Sequence, residues 1–368
     1  MPWSSECSVV VGDLVVDSTS NITESQLQNL FQSVTSVQGS VTVRNTTLKQ
    51  LSFLKNIEIL TGGYLDNVLE IVGNPLLTQI QIDRLNRSDG IVVITDNREL
   101  DVKKYCQLFD RVLLGNRIIL RNKGNCGFQL DFPLTFTSIL GVPANLSIIY
   151  GNLQFEETAI PPERLSVLRS VKKLYGCLTV YVTNFETLSF LENLEEIICQ
   201  SRTDTAVWIT TNHYMENLGL RKLTKIVTQR QLEIVSNRIL QITIEEAEIF
   251  ASASVGGDRV QGNFSTEELP LDVCMFNSLK DDITLLHENC TSTVGLLYYE
   301  GRSFSEAEVK KLQQIHRIYG NVDFIGMDIK DLSMFSSLEE IISLNGKRFI
   351  GEKKEVENKS RFFCLKSL

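Results

Sequence analysis

Residues able to do catalytic or metal chemistry are sparse in this 368-residue sequence and do not converge. The three histidines, His213, His287 and His316, lie far apart, and none of the eight cysteines stands in a CxxC pair, so a zinc site lacks a ligand set. No G-x-S-x-G, H-E-x-x-H, P-loop or dinucleotide-binding glycine pattern occurs. Gly256-Gly257-Asp258-Arg259-Val260-Gln261-Gly262 has the glycine for a phosphate cradle. A cradle needs a strand before it and a helix after it, and neither is legible, so the stretch reads as a linker. Glu195-Glu196, echoed by Glu339-Glu340, are adjacent carboxylates that cannot flank one substrate bond, and a solvated turn suits them better. The histidines read as surface or packing residues. The sequence therefore predicts no enzyme, no metal and no cofactor.

Composition narrows the remaining classes. The formal charge of -9 argues against nucleic acid or an anionic membrane surface as partner, since both select a basic face. Hydrophobic content of 43% supports packed cores, and the length exceeds what one core usually serves, so two or three domains are expected. Seven N-x-S/T sequons occur, at Asn21, Asn45, Asn86, Asn145, Asn263, Asn289 and Asn358. Together with the cysteines they favour an oxidising, secretory route. The first residues lack the pattern of a signal peptide, and no apolar run reaches the about 18 residues that span a bilayer. The expectation is an extracellular protein or ectodomain whose leader and anchor are absent from this sequence.

The elements that would position a site appear as a repeat of roughly 140 residues, the kind of self-similarity that marks modular architectures. Gly39, Gly176 and Gly320 align three segments without gaps. Before them stand Val34, Val171 and Ile315, then Val37, Leu174 and Ile318; beyond them come Leu51-Ser52, Leu188-Ser189 and Leu332-Ser333. An earlier phrase opens with Gly12, Gly151 and Gly295, and a helix fits between the two phrases. Its start is signalled by capping boxes at Thr23/Gln26 and Ser305/Glu308, and by Pro162 before Glu163. Further strand phrases end in Asn74, Asn97, Asn212 and Asn237. Strands recurring at this interval, each closed by a turn asparagine, read as solenoid rungs. Asparagine suits such a turn because it tolerates left-handed backbone and can bond the adjacent turn.

Cys7-Ser-Val-Val-Val-Gly12-Asp-Leu-Val-Val, the helix, Gly39-Ser-Val-Thr-Val, Leu51-Ser-Phe-Leu and the asparagine-ended rungs resemble the receptor L domain of the insulin and epidermal growth factor receptors. Cys290-Thr-Ser-Thr-Val-Gly295 opens a third unit at the same spacing. The chain resembles in particular nematode proteins that carry such domains without the receptor's kinase. The resemblance covers roughly residues 7 to 126, 140 to 250 and 290 to 345. It implies a mainly β fold with short helices: tandem right-handed β-helical L domains over 1–126, 127–273 (with a C-terminal linker from about 250) and 274–368, the last partial. In unit three only two strands are legible before the charged stretch beyond Asn345, so poor packing is expected there. The cysteine-rich region that separates L domains in the receptors is missing, and so is any kinase, so signalling by this chain is not expected. By the resemblance, Cys274 pairs with Cys290 and Cys106 with Cys126. Cys177 and Cys199 stand one rung apart, which suits either a bridge or two buried thiols. Cys7 and Cys364 have no assigned partners, which suggests a chain clipped at both ends.

Alternation along the strands places a candidate ligand-binding face on unit two. Leucine and the next apolar residue point inward, leaving Gln154, Glu156, Thr179, Tyr181, Trp208, Thr210, Glu233 and Val235 outward. The corresponding face of unit one, Val15, Asp17, Thr42, Arg44, Glu70, Val72, Val93 and Thr95, has no aromatic residue and a sequon at Asn45 beside it. The expected partner is a secreted peptide or growth-factor-like protein. A structural or adhesive matrix protein and a carbohydrate-active β-helical enzyme are the alternative classes. A simple packing role for Trp208 beneath a loop is the alternative at residue level.

Overall fold

The computed structural model describes residues 7–62, 67–112, 117–130, 132–199, 204–255, 258–267, 269–327 and 332–344, with the backbone of 364–367. Parallel neighbours need a crossover of a dozen or more residues. That requirement sets the repeat interval. In unit one Leu14 lies opposite Val41, Val41 opposite Leu69, Leu69 opposite Val92 and Val92 opposite Arg117, intervals of 23 to 28 residues. In unit two Leu153, Leu178, Val207 and Leu232 follow one another at 25 to 29. Among the described residues unit one carries two such sheets and unit two carries two five-stranded ones with a small two-stranded one, and the chain passes between the two main sheets from tier to tier. Helices are few and short, the longest among the described residues being Ile244–Ala253.

The three anchor glycines mark the corner between the two sheets. Gly176 follows the strand Lys173–Tyr175 and precedes Leu178–Tyr181, and Gly39 divides Ser36–Gln38 from Val41–Arg44 in the same way. In unit three the corner is smoothed and Gly320 lies inside one strand, Arg317–Ile325. At these three corners the glycine backbones of two successive tiers touch. A Cβ on Gly39, Gly176 or Gly320 would meet the carbonyl oxygen of Gly12, Gly151 or Gly295 at 2.3, 2.0 and 1.7 Å. Only glycine permits that approach.

Inside, the aligned apolar positions are the core: Val34, Val37, Val171, Leu174, Ile315 and Ile318 are fully buried. Leu51 and Leu188 are buried as well, whereas their counterpart Leu332 is 42% exposed. The asparagines form the second internal ladder. Asn212 Nδ2 donates to the Val180 and Thr210 carbonyls and to Asn237 Oδ1, while its own Oδ1 accepts from the amide and hydroxyl of Thr183. Asn74 and Asn97 repeat the pattern, and Asn122 extends it by one tier. The bonding to adjacent turns is as expected, but the left-handed residue is the one before each asparagine: Gly73, Asp96, Arg121, Thr211 and Ser236. The asparagine side chain turns inward to hold the tier below.

Three bridges close tiers: Cys106–Cys126, Cys177–Cys199 and Cys274–Cys290. They settle the open alternative at Cys177 in favour of a bond, and they fit an oxidising compartment. Cys7 is exposed and unbonded among the described residues, and the Cys364 side chain lies outside them.

Two expectations need correction. Residues from about 250 onward are not a linker: Arg259–Val260 pairs with the Leu232–Val235 strand, and Asn263–Phe264 pairs with Gln241–Ile242. Glycine-rich composition hid two strands too short to show alternation; Gly256 and Gly257 themselves lie outside the described residues. Unit three holds more than two strands, for Glu340–Ser343 and Cys364–Ser367 add to its sheet. Residues 345–363, where poor packing was expected, lie outside the described residues. Unit three also docks on unit two. Val294, Tyr319 and Ile342 join its core cluster, and Glu248 accepts from Arg317 at 2.9 Å and from the Tyr319 hydroxyl at 2.6 Å.

The helices start as the sequence predicts, with both capping boxes formed. In unit three the Glu308 carboxylate of that box also binds the Arg302 guanidinium at 2.6 Å, and this bond first, then the Ser305 amide and hydroxyl, holds its pKa at about 2, below the ordinary 4.5. A depressed folded value stabilises above the unfolded one. The contribution is complete above about pH 4.5 and is lost as pH falls toward about 2. Because Arg302 is 46% exposed, screening reduces it to on the order of 1–2 kcal/mol. Glu308→Gln should therefore lower stability by that amount in urea titrations at pH 7, and the gap from the parent should close near pH 2. A gap independent of pH would refute the ion pair.

Candidate ligand-binding face

The face of unit two is built by four strands, Leu153–Glu156, Leu178–Tyr181, Val207–Thr210 and Leu232–Val235, whose leucine, valine, isoleucine and phenylalanine side chains fill the core. Period-two alternation sends the intervening residues to the other side. Register arranges these in two rows. One is Gln154, Thr179, Trp208 and Glu233; the other is Glu156, Tyr181, Thr210 and Val235. All the residues assigned to this face from sequence are thus brought together on one sheet.

At its centre Trp208 and Tyr181 occupy one diagonal of a square completed by Thr179 and Thr210. The rings stack with centroids 5.2 Å apart and planes 9° from parallel. Both aromatic residues are half-buried, with part of their surface open to solvent. The two threonines were expected to be exposed and are not: each is 7% accessible. Small side chains on the other diagonal are shaded by the rings beside them. Val235, at 9%, is likewise covered rather than outward-accessible. Gln154 and Glu233 are partly exposed and Glu156 is exposed, leaving polar side chains around the aromatic pair.

Sequence reasoning missed one member. Arg259 pairs in register with Glu233, extends the first row and forms an ion pair with it. Its signal was present, since Arg259-Val260 follows Glu233-Ile234 at the repeat interval, but the surrounding glycines masked it.

The counterpart on unit one is flatter in chemistry. Val15 is 48% exposed, Arg44 is exposed 3.7 Å from Asp17, and Thr95 is buried. The Thr19 hydroxyl and amide, foremost, hold the Asp17 carboxyl below the usual carboxylate range. No ring is present. Asn45, at the end of the Val41–Arg44 strand, is exposed, as are Asn21, Asn86, Asn145, Asn263 and Asn289; Asn358 lies outside the described residues.

Elsewhere, the three histidines are surface residues. Glu195 and Glu196 do not form a free turn: Glu196 opens a strand, and the two carboxylates pair separately with Lys172 at 3.2 Å and Lys173 at 3.0 Å. No helix among the described residues is long and apolar enough to cross a membrane.

Comparison with known proteins agrees with this architecture. Protein irld-34 of Caenorhabditis elegans is 30% identical over 125 residues, 30% of this chain and 31% of that protein. The match thus spans about a third of the relative's length. The family model described as "Receptor L domain" matches residues 6–112 and 145–253, the first two units and more than half of the chain. The chain belongs to the receptor L domain family.

Proposed function

We propose that this chain is an extracellular, glycosylated, receptor-like binding protein, without catalytic or signalling activity, that captures a secreted peptide or growth-factor-like protein on unit two. We further infer that each unit coils as a right-handed β-helix, with the domains running 1–126, 127–273 and 274–368. The parallel register at intervals of 23 to 29 residues supports this. The single observation that carries the binding assignment is the stacked, partly open Tyr181–Trp208 pair on an otherwise polar sheet. Binding energy concentrates in aromatic or arginine anchors ringed by polar groups that exclude water. Gln154, Glu156 and Glu233 supply that ring, with Thr179 and Thr210 packed beneath it. A glycan on Asn45 would crowd the corresponding face of unit one, which offers no anchor.

Trp208→Ala should weaken binding of the captured peptide by at least about 2 kcal/mol, a loss typical of a central anchor. Tyr181→Ala should weaken it comparably, because each ring holds the other in place. Calorimetric titration of both variants against the parent reads the effect. Unchanged affinity in two folded variants would remove this face from consideration.

A further inference from the structure

A concave site lies on the other sheet of unit two, where the end of unit one meets it, as a cleft of about 600 Å³. Its floor is made by Lys173–Tyr175, Glu196–Cys199 and Lys225–Thr228, and their register lays two rows side by side. Lys173, Glu196 and Lys225 form a charged row, and Tyr175, Ile198 and Val227 an apolar one. The wall comes from unit one, from the helix Cys106–Val112 and the strand Arg117–Leu120.

Arg117 is the unusual member. Its guanidinium lies over the stacked rings of Tyr150 and Tyr175, 4.0 and 4.7 Å from their centroids, and pairs through Nη2 with Asp110. The side chain is 6% exposed, and its Nη1 is buried with no hydrogen-bond partner among the described residues. An ionised donor kept from water without an acceptor is a costly arrangement in a folded protein. Nearby, Arg111 and Lys225 are exposed. The cleft thus sets Arg111, Arg117, Lys173 and Lys225 against two carboxylates, Asp110 and Glu196, in a chain whose overall charge is -9.

Concentrated positive charge selects an anion. The apolar row selects among anions: a sulfated glycan offers it little, whereas an extended peptide presents alternate side chains to two rows at once. We propose that this cleft binds an acidic, partly apolar peptide segment, whose carboxylates meet the exposed Arg111 and Lys225, with the charge of Arg117 held behind them, and whose apolar side chains lie along Tyr175, Ile198 and Val227. The site is on the sheet opposite Trp208 and stands or falls independently of that face.

The probe is a fluorescently labelled heptapeptide alternating leucine and glutamate, titrated by anisotropy against the whole chain. It should bind at least about tenfold more tightly than its leucine–glutamine counterpart, and Lys225→Glu, a change at an exposed position that leaves folding intact, should remove most of that preference. Trp208→Ala should leave it unchanged. Equal affinity for the two peptides, or indifference to Lys225→Glu, overturns the proposal. Tighter binding of a heparin tetrasaccharide than of the acidic peptide overturns the choice of a peptide.

Discussion

Gly176→Ala is expected to destabilise the protein by at least about 3 kcal/mol, beyond what an exposed glycine replacement costs, because the new methyl group has no side chain to push aside. Its Cβ would stand 2.0 Å from the Gly151 oxygen, 2.4 Å from the Gly151 carbonyl carbon and 2.9 Å from the Asn152 nitrogen. All three are backbone atoms. Relief requires two tiers to separate, which breaks the pairing of Leu153–Glu156 with Leu178–Tyr181 and opens the packed core behind it. Gly141→Ala is the control, since nothing lies within 4 Å of a Cβ there. It should change stability by no more than about 0.5 kcal/mol. Urea denaturation of both variants measures the difference. A Gly176→Ala protein as stable as the parent would mean that the glycine corners do not touch as described.

Asn212→Ala is expected to cost about 3–5 kcal/mol, because one truncation leaves several buried groups without partners at about 1–3 kcal/mol each. The Thr183 amide and hydroxyl lose their acceptor at 2.9 and 2.8 Å. The Val180 and Thr210 carbonyls lose their donor at 3.0 and 3.1 Å. Water cannot readily replace the amide, since Asn212 is fully buried. Asn212→Asp keeps the shape but turns a buried carboxylate oxygen toward the Val180 and Thr210 carbonyls and Asn237 Oδ1, so at pH 7 it should cost at least as much as Ala. Native-state hydrogen exchange at residues 178–183 and 207–212 should report the same order. Parent-like stability in Asn212→Ala would reduce the ladder to an ornament of the turn.

Both positions were visible in the sequence because the constraint each satisfies recurs, the glycine contact once in each unit and the asparagine bond from tier to tier. Gly39, Gly176 and Gly320 could be aligned because each must let two backbones touch. Asn74, Asn97, Asn212 and Asn237 could be aligned because each must bond the next turn. What recurs leaves a periodic trace. Details that depend on a single neighbour do not. Alternation placed Thr179 and Thr210 on the correct face, yet their burial depends on how Tyr181 and Trp208 stack across them, which no periodicity encodes. Arg259 was hidden because a two-residue strand has no alternation to show. Arg117 carries no signal at all in one dimension. Its setting is made by Tyr150 and Tyr175 of the following unit, brought to it only by the packing of one unit on the next.

Capture of a secreted ligand through the Tyr181–Trp208 face is measured by titrating the chain calorimetrically with a panel of secreted insulin-like and growth-factor-like peptides. The Trp208→Ala/Tyr181→Ala double variant is titrated in parallel, with sedimentation and polysaccharide turnover followed on the same preparations. Saturable binding of at least one panel member is the expected result, weakened by about thirtyfold or more in the double variant. Concentration-dependent self-association or polysaccharide cleavage, with no saturable binding of any peptide, would contradict it.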